Sequence, residues 1–96
     1  MKPLTVVATL KAKPGLETKL GDALKKLVPI TRAEKGCINY DMHQSHEDPG
    51  LFVFCENWVT RADWEAHMKA PHLVAFAAAQ PELAQSWQLF VGEKIQ

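Results

Sequence analysis

The chain has 96 residues, 47 per cent of them hydrophobic, and its 11 basic side chains balance 11 acidic ones. That length supports one domain, residues 1–96, with a sizeable core and no room for a second. A chain without net charge offers no field for a phosphate backbone, and no apolar run reaches the roughly 20 residues that span a bilayer, so neither nucleic acid nor membrane is an expected partner.

Met1-Lys2-Pro3-Leu4 leads straight into a strand-like segment, without the apolar stretch and small-residue cleavage site of a signal peptide. The expected compartment is the cytoplasm. Leu4 to Ala12 predicts a strand with Leu4, Val6, Ala8 and Leu10 on one side and Thr5, Val7, Thr9 and Lys11 on the other. Lys11 is its only charge, so both faces can be covered. After a Lys13-Pro14-Gly15 turn, Leu16, Leu20, Ala23, Leu24, Leu27 and Ile30 recur at helical spacing, with charged residues between them. Pro29 removes one backbone bond and should kink or loosen the last turns. Gly36, able to take positive φ, is expected to end the element.

Cys37 to Ser45 and Leu51 to Trp58 are rich in β-branched, aromatic and sulfur-containing residues, and a His46-Glu47-Asp48-Pro49-Gly50 turn separates them. This predicts a hairpin. A three-residue loop at 47–49 sets Tyr40 opposite Glu56 and Met42 opposite Phe54, whereas a loop one residue longer flips that assignment. In this register Cys55 pairs near Asp41, not Cys37. The offset of about four residues, at roughly 3.3 Å each, is too long for a disulfide. No C-x-x-C motif is present.

Thr60 predicts an N-cap with Asp63 three residues on, and the helix should reach about Lys69. Pro71 opens a second short helix through Ala79, Pro81 ends it, and Trp87 to Glu93 predicts the last strand. The order strand, helix, strand, strand, helix, strand is that of the α+β, ferredoxin-like βαββαβ fold: a four-stranded antiparallel sheet with helices on one face. The other face, read as Thr5, Val7, Thr9, Phe52 or Val53, Leu89 and Val91, is too apolar to leave in water. It predicts a homodimer built sheet to sheet.

Gly36-Cys37-Ile38-Asn39-Tyr40, the Asp48-Pro49-Gly50 turn, the Glu-x-Trp of Glu56 and Trp58, Thr60, and the segment from His67 to Pro71-His72-Leu73 resemble the antibiotic-biosynthesis-monooxygenase domain, in particular its short quinol-monooxygenase type. The resemblance runs from Leu4 to Val91 and rests on the order and spacing of these features together. It implies the dimeric α+β barrel and an oxygenase chemistry, although one fold of this kind hosts several activities. Relatives that oxidise polyketide quinols place asparagine, tyrosine and arginine where this chain has Phe54, Trp64 and Ala78, while the tryptophan is kept as Trp58. The haem-degrading branch needs an asparagine near Ala8 and a histidine near Ala77, and this chain has neither.

Tyr40 and Glu56 are polar groups planted on core-like strands, and burying such groups unpaired costs a few kcal/mol. Facing each other, the phenol would donate to the carboxylate, whose pKa would rise with burial. They form either a substrate-orienting pair or a buried bond that fixes register. His67 follows Asp63 by four positions and Trp64 by three, and is either a catalytic base or a tie to that aspartate. His72 starts a helix, lining a pocket mouth or packing there. Trp58, Trp64 and Phe76 are candidate substrate walls or plain core. His67 and His72, five apart across a proline, lack the i, i+4 spacing of metal ligands on one helix, and no metal is implied. His43, His46, Glu47 and Asp48 predict a solvated loop.

The sequence carries no glycine-rich phosphate loop and no flavin or nicotinamide fingerprint. The leading expectation is a cofactor-independent monooxygenase acting on a small aromatic quinol or phenol with O2, with His67 as base and Glu56 and Tyr40 as orienting groups. The alternatives are a cofactor-free isomerase or tautomerase using the same groups, and a non-catalytic dimer that binds a small metabolite.

Overall fold

The computed structural model describes residues 2–96. β1 (Leu4–Ala12), α1 (Glu17–Arg32), β2 (Cys37–Gln44), β3 (Leu51–Trp58), α2 (Arg61–Met68), α3 (Pro71–Leu83) and β4 (Ala84–Gly92) follow one another along the chain. The sheet has the order β2-β3-β1-β4, antiparallel throughout, in the ferredoxin-like βαββαβ arrangement. Among the described residues no helix is long and apolar enough to cross a membrane.

The hairpin register is the expected one: Tyr40 pairs with Glu56, Met42 with Phe54 and Asp41 with Cys55. Both cysteines are free. A register shift between Cys37 and Asn39 leaves Ile38 as an extra, half-exposed residue at the start of β2. Opposed residues of an antiparallel pair share a face, so Val6 aligned with both Glu56 and Val91, and Ala8 with both Phe54 and Leu89, define the face under the helices. Leu20, Leu24 and Leu27 of α1 close over Phe52, Phe54, Tyr40 and Trp58 to form the core.

That registry corrects the outer face. Leu89 and Val91 point toward the helices, and the outer surface of β4 carries Phe90 and Gln88 instead, beside Val7 and Thr9 of β1. Phe52 is core, so Val53 is the outward member of its pair. Two helix ends also differ from expectation. Pro81 lies inside α3, which continues to Leu83, because a proline this near the end forfeits a single bond while the Ala84 N–H still closes onto the Gln80 carbonyl. α1 stops at Arg32, well before Gly36, and residues 33–36 form a connecting turn held by Glu34 N–H to Thr31 O (3.0 Å) and Cys37 N–H to Glu34 O (3.2 Å). Gly36 is needed in that turn for two reasons: its φ is +81°, and a Cβ there would meet the Asp63 side chain 2.1 Å away.

Candidate functional site

Between the sheet and α2 and α3 lies an apolar pocket of about 180 Å³. Leu73, Phe76, Trp64 and Leu89 supply much of its wall, and Tyr40, Glu56 and His67 are the ionisable groups that face it. A dry cavity of about 150 Å³ accommodates benzene, so this space suits a ligand built on one aromatic ring.

Glu56 reaches the pocket because its strand parity matches the core positions Phe54 and Trp58, and it is only 4% exposed. Its carboxylate accepts the Trp58 indole N–H at 3.0 Å. Burial pushes the carboxyl up to about 7; the Trp58 bond opposes this rise and the nearby Glu34 charge adds to it. Glu56 therefore titrates around neutral pH. Tyr40 lies opposite in register, but the expected donation from its phenol to Glu56 is not formed; the Thr31 hydroxyl is the polar group beside the phenol. Burial, helped by the Glu56 charge, raises that phenol well above its ordinary value, so it stays protonated.

His67 is 3% exposed, packed against the Trp58 ring at 4.8 Å between centroids and edge-on to Tyr40 at 5.6 Å. Its expected partner Asp63 instead packs over Gly36, while its N–H caps onto Thr60 at 3.1 Å. The actual partner is Glu34, whose Oε2 lies 2.9 Å from His67 Nδ1. Burial lowers the imidazole pKa and the Glu34 carboxylate works against that, so at neutral pH the ring is uncharged. A carboxylate only accepts, so Nδ1 carries the proton and Nε2 holds the free lone pair.

The sequence reading missed Glu34. No periodicity marks an acid in a four-residue turn; the one available signal was Gly36, which shows that the chain reverses there. His72 is set apart from the pocket wall, with Nε2 3.0 Å from the Thr31 hydroxyl and 3.1 Å from Glu34 Oε1. Trp58 is likewise no part of the wall: it is fully buried and backs both Glu56 and His67. Trp64 and Phe76 do line the pocket, and the Arg61 guanidinium lies 5.6 Å from the Trp64 ring centre. His67 and His72 sit on successive helices, not on one, and their rings approach to 6.0 Å with Glu34 between them.

Residues 3–79 match the antibiotic biosynthesis monooxygenase family. Over 86 residues the chain is 30% identical to "Probable quinol monooxygenase YgiN" of Escherichia coli K12, a match covering 79% of this chain and 83% of that protein. It is 27% identical over 81 residues to "Uncharacterized protein sll1783" of Synechocystis sp., covering 84% of this chain and 55% of that one, so it spans about half the length of that relative. Among solved structures, PA3566 from Pseudomonas aeruginosa superposes with a TM-score of 0.96 at 34% identity, over 100% of this chain and 97% of the other.

Proposed function

The chain belongs to the antibiotic biosynthesis monooxygenase family, and from that membership we propose that it oxidises a small aromatic quinol or phenol with O2, using no protein-bound redox cofactor. The observation that carries this reading is His67: one imidazole nitrogen is anchored on Glu34 while the ring forms part of a one-ring-sized apolar pocket. In this mechanism Nε2 takes the phenolic proton, and the Glu34 carboxylate steadies the imidazolium that forms. Protonated Glu56 and the Tyr40 phenol orient the substrate oxygens, and Trp64 and Phe76 hold its ring. The resulting anion itself passes electrons to O2. One oxygen atom stays in the product and the other leaves as water, with the substrate supplying all the electrons. The apolar wall protects the intermediate from solvent.

The working unit in this proposal is a homodimer joined through the outer sheet face. The test is oxygen uptake with a panel of one- and two-ring quinols, coupled to retention of one ¹⁸O atom from ¹⁸O2 in the product. Substrate-dependent uptake with that label is expected; turnover without uptake rejects oxygenation.

A second reading has its own support in Glu56. A carboxyl that titrates near 7 beside a neutral imidazole suits proton transfer between two carbons or oxygens, as an isomerase or tautomerase requires. Equal turnover in air and under argon is its signature. Saturable binding with no turnover in either atmosphere is that of a non-catalytic binding module.

A further inference from the structure

We propose that Glu34, His67 and His72 form a binding site for one divalent transition-metal ion of the zinc type. Their donor atoms, a Glu34 carboxylate oxygen, Nδ1 of His67 and Nε2 of His72, all lie within 4.8 Å of one another. His67 Nδ1 lies 2.9 Å from Glu34 Oε2, and His72 Nε2 lies 3.1 Å from the other carboxylate oxygen, Oε1. A tetrahedral zinc ion, with bonds of about 2.0–2.2 Å to nitrogen and oxygen, separates its ligands by roughly 3.3 Å. The cluster thus needs only side-chain adjustments to close on a metal.

Its hydrogen bonding is also incomplete in the way such a site would be. Glu34 Oε1 is buried without an aligned donor. His72 Nε2 is near enough, but it is committed to the Thr31 hydroxyl at 3.0 Å, leaving Oε1 with proximity and no bond. An unsatisfied buried carboxylate oxygen is costly, and a cation between the three groups would satisfy it. Two imidazoles and one carboxylate favour zinc, nickel, copper or cobalt over the oxygen-seeking magnesium and calcium.

The scaffold holds the donors independently of any ion. Glu34 is fixed by the turn after α1, and His67 sits at the end of α2 where the Ala70 N–H bonds its carbonyl at 3.1 Å. His72 is set by Pro71 in the first turn of α3. An open cleft lined by Glu34, Asp63 and His67 gives a route from solvent; Lys35 on the same cleft opposes a cation and the Asp63 carboxylate offsets it. Metal on Nδ1 would force the remaining imidazole proton onto Nε2, so a loaded cluster and His67 acting as base exclude one another. Binding itself does not depend on that catalytic reading.

The test uses untagged full-length protein freed of metal with a chelator. Calorimetric titration with Zn²⁺ should give one saturable site, and Co²⁺ should give the intense visible bands of low-coordinate cobalt. Glu34→Gln and His72→Gln should each weaken binding by at least the roughly 10- to 100-fold that loss of even an outer partner costs. A His43→Gln/His46→Gln variant should bind normally. Imidazole NMR of the wild-type protein identifies the ligands without any substitution: the His67 and His72 ring signals should respond first to Zn²⁺. No saturable binding, undiminished binding by either cluster variant, or first response at His43 or His46 would overturn the proposal.

Discussion

Nδ1 of His67 lies 2.9 Å from Oε2 of Glu34, a residue 33 positions earlier in the chain. The contact joins the turn after α1 to the end of α2 and fixes which nitrogen of the imidazole carries its proton. His67 is also nearly inaccessible and packed against Trp58 and Tyr40, so removing its ring opens a core cavity. His67→Ala would therefore lower stability as well as activity, and a loss of turnover in that variant alone would not separate the two roles.

Glu34→Gln separates them. The amide keeps the shape and its oxygen still accepts from Nδ1, while the negative charge that favours the imidazolium is gone. Turnover should fall by on the order of 10² with the fold intact. Because Glu34 holds the His67 pKa up against burial, its neutralisation lowers that pKa further, and the acid limb of the kcat/KM profile should move to lower pH. An unchanged acid limb, with turnover retained, would remove His67 from the reaction.

Glu56 makes a prediction about stability. Its folded pKa, about 7, lies above the ordinary 4.5. A group raised on folding contributes stability that is fully present below the unfolded value and is lost as pH rises through the folded one. The denaturation midpoint of the wild-type protein should therefore decline between about pH 5 and pH 8, by an amount worth about 3 kcal/mol at most. Glu56→Gln retains an acceptor for the Trp58 indole and has no charge to bury. Its stability should be flatter over that window and should exceed wild type at pH 8; parallel curves for the two proteins would show that Glu56 ionises freely.

The contrast between Glu56 and Glu34 marks what the sequence made legible. Strand alternation and the Asp48-Pro49-Gly50 turn together specify the pairing of Tyr40 with Glu56, since a slip of one residue would turn Phe52, Phe54 and Trp58 out of the core. In β4 apolar residues occupy both parities, with Leu89 and Val91 on one and Phe90 on the other, so alternation cannot decide which face is which. Only pairing with β1 decides it. Glu34 belongs to a third category: its importance lies in a contact between two non-adjacent elements, and neither local period nor motif spacing encodes such a contact. The hydrogen bond from Trp58 to Glu56 was hidden differently, because an i, i+2 pair on one strand face looks like ordinary core.

Gly36 tests whether the turn that presents Glu34 is as constrained as its geometry indicates. At φ +81° an alanine costs about 1–2 kcal/mol from backbone strain alone. The new Cβ would in addition lie 2.6 Å from the Asp63 Cβ, an atom that cannot swing aside as a carboxylate can. Gly36→Ala should lower the melting temperature by roughly 8 °C or more, at about 4–8 °C per kcal/mol. It should also reduce activity per folded molecule through displacement of Glu34. A variant as stable and active as wild type would show that the turn relaxes at little cost.

The outer sheet face tests assembly. Val7 is flanked in register by Cys55 on one side and Phe90 on the other, and Val53 sits beside Thr9, so small apolar groups and one aromatic ring cover the middle of that surface. Phe90 is 57% exposed in the isolated chain, near the end of the edge strand β4, and adds a large apolar ring to this face. Packing two such faces together would bury both copies of the ring. Sedimentation of the wild-type protein should then give roughly twice the 10.7 kDa chain mass. Phe90→Glu sets a carboxylate in each half of that interface, where burial leaves it unpaired. The variant should sediment as a monomer, with its far-UV spectrum preserved because Phe90 lies outside the core under the helices. A wild-type protein that stays monomeric at micromolar concentration, with near-UV bands unchanged on dilution, would show that this face needs no partner and would remove the dimer from the proposed working unit.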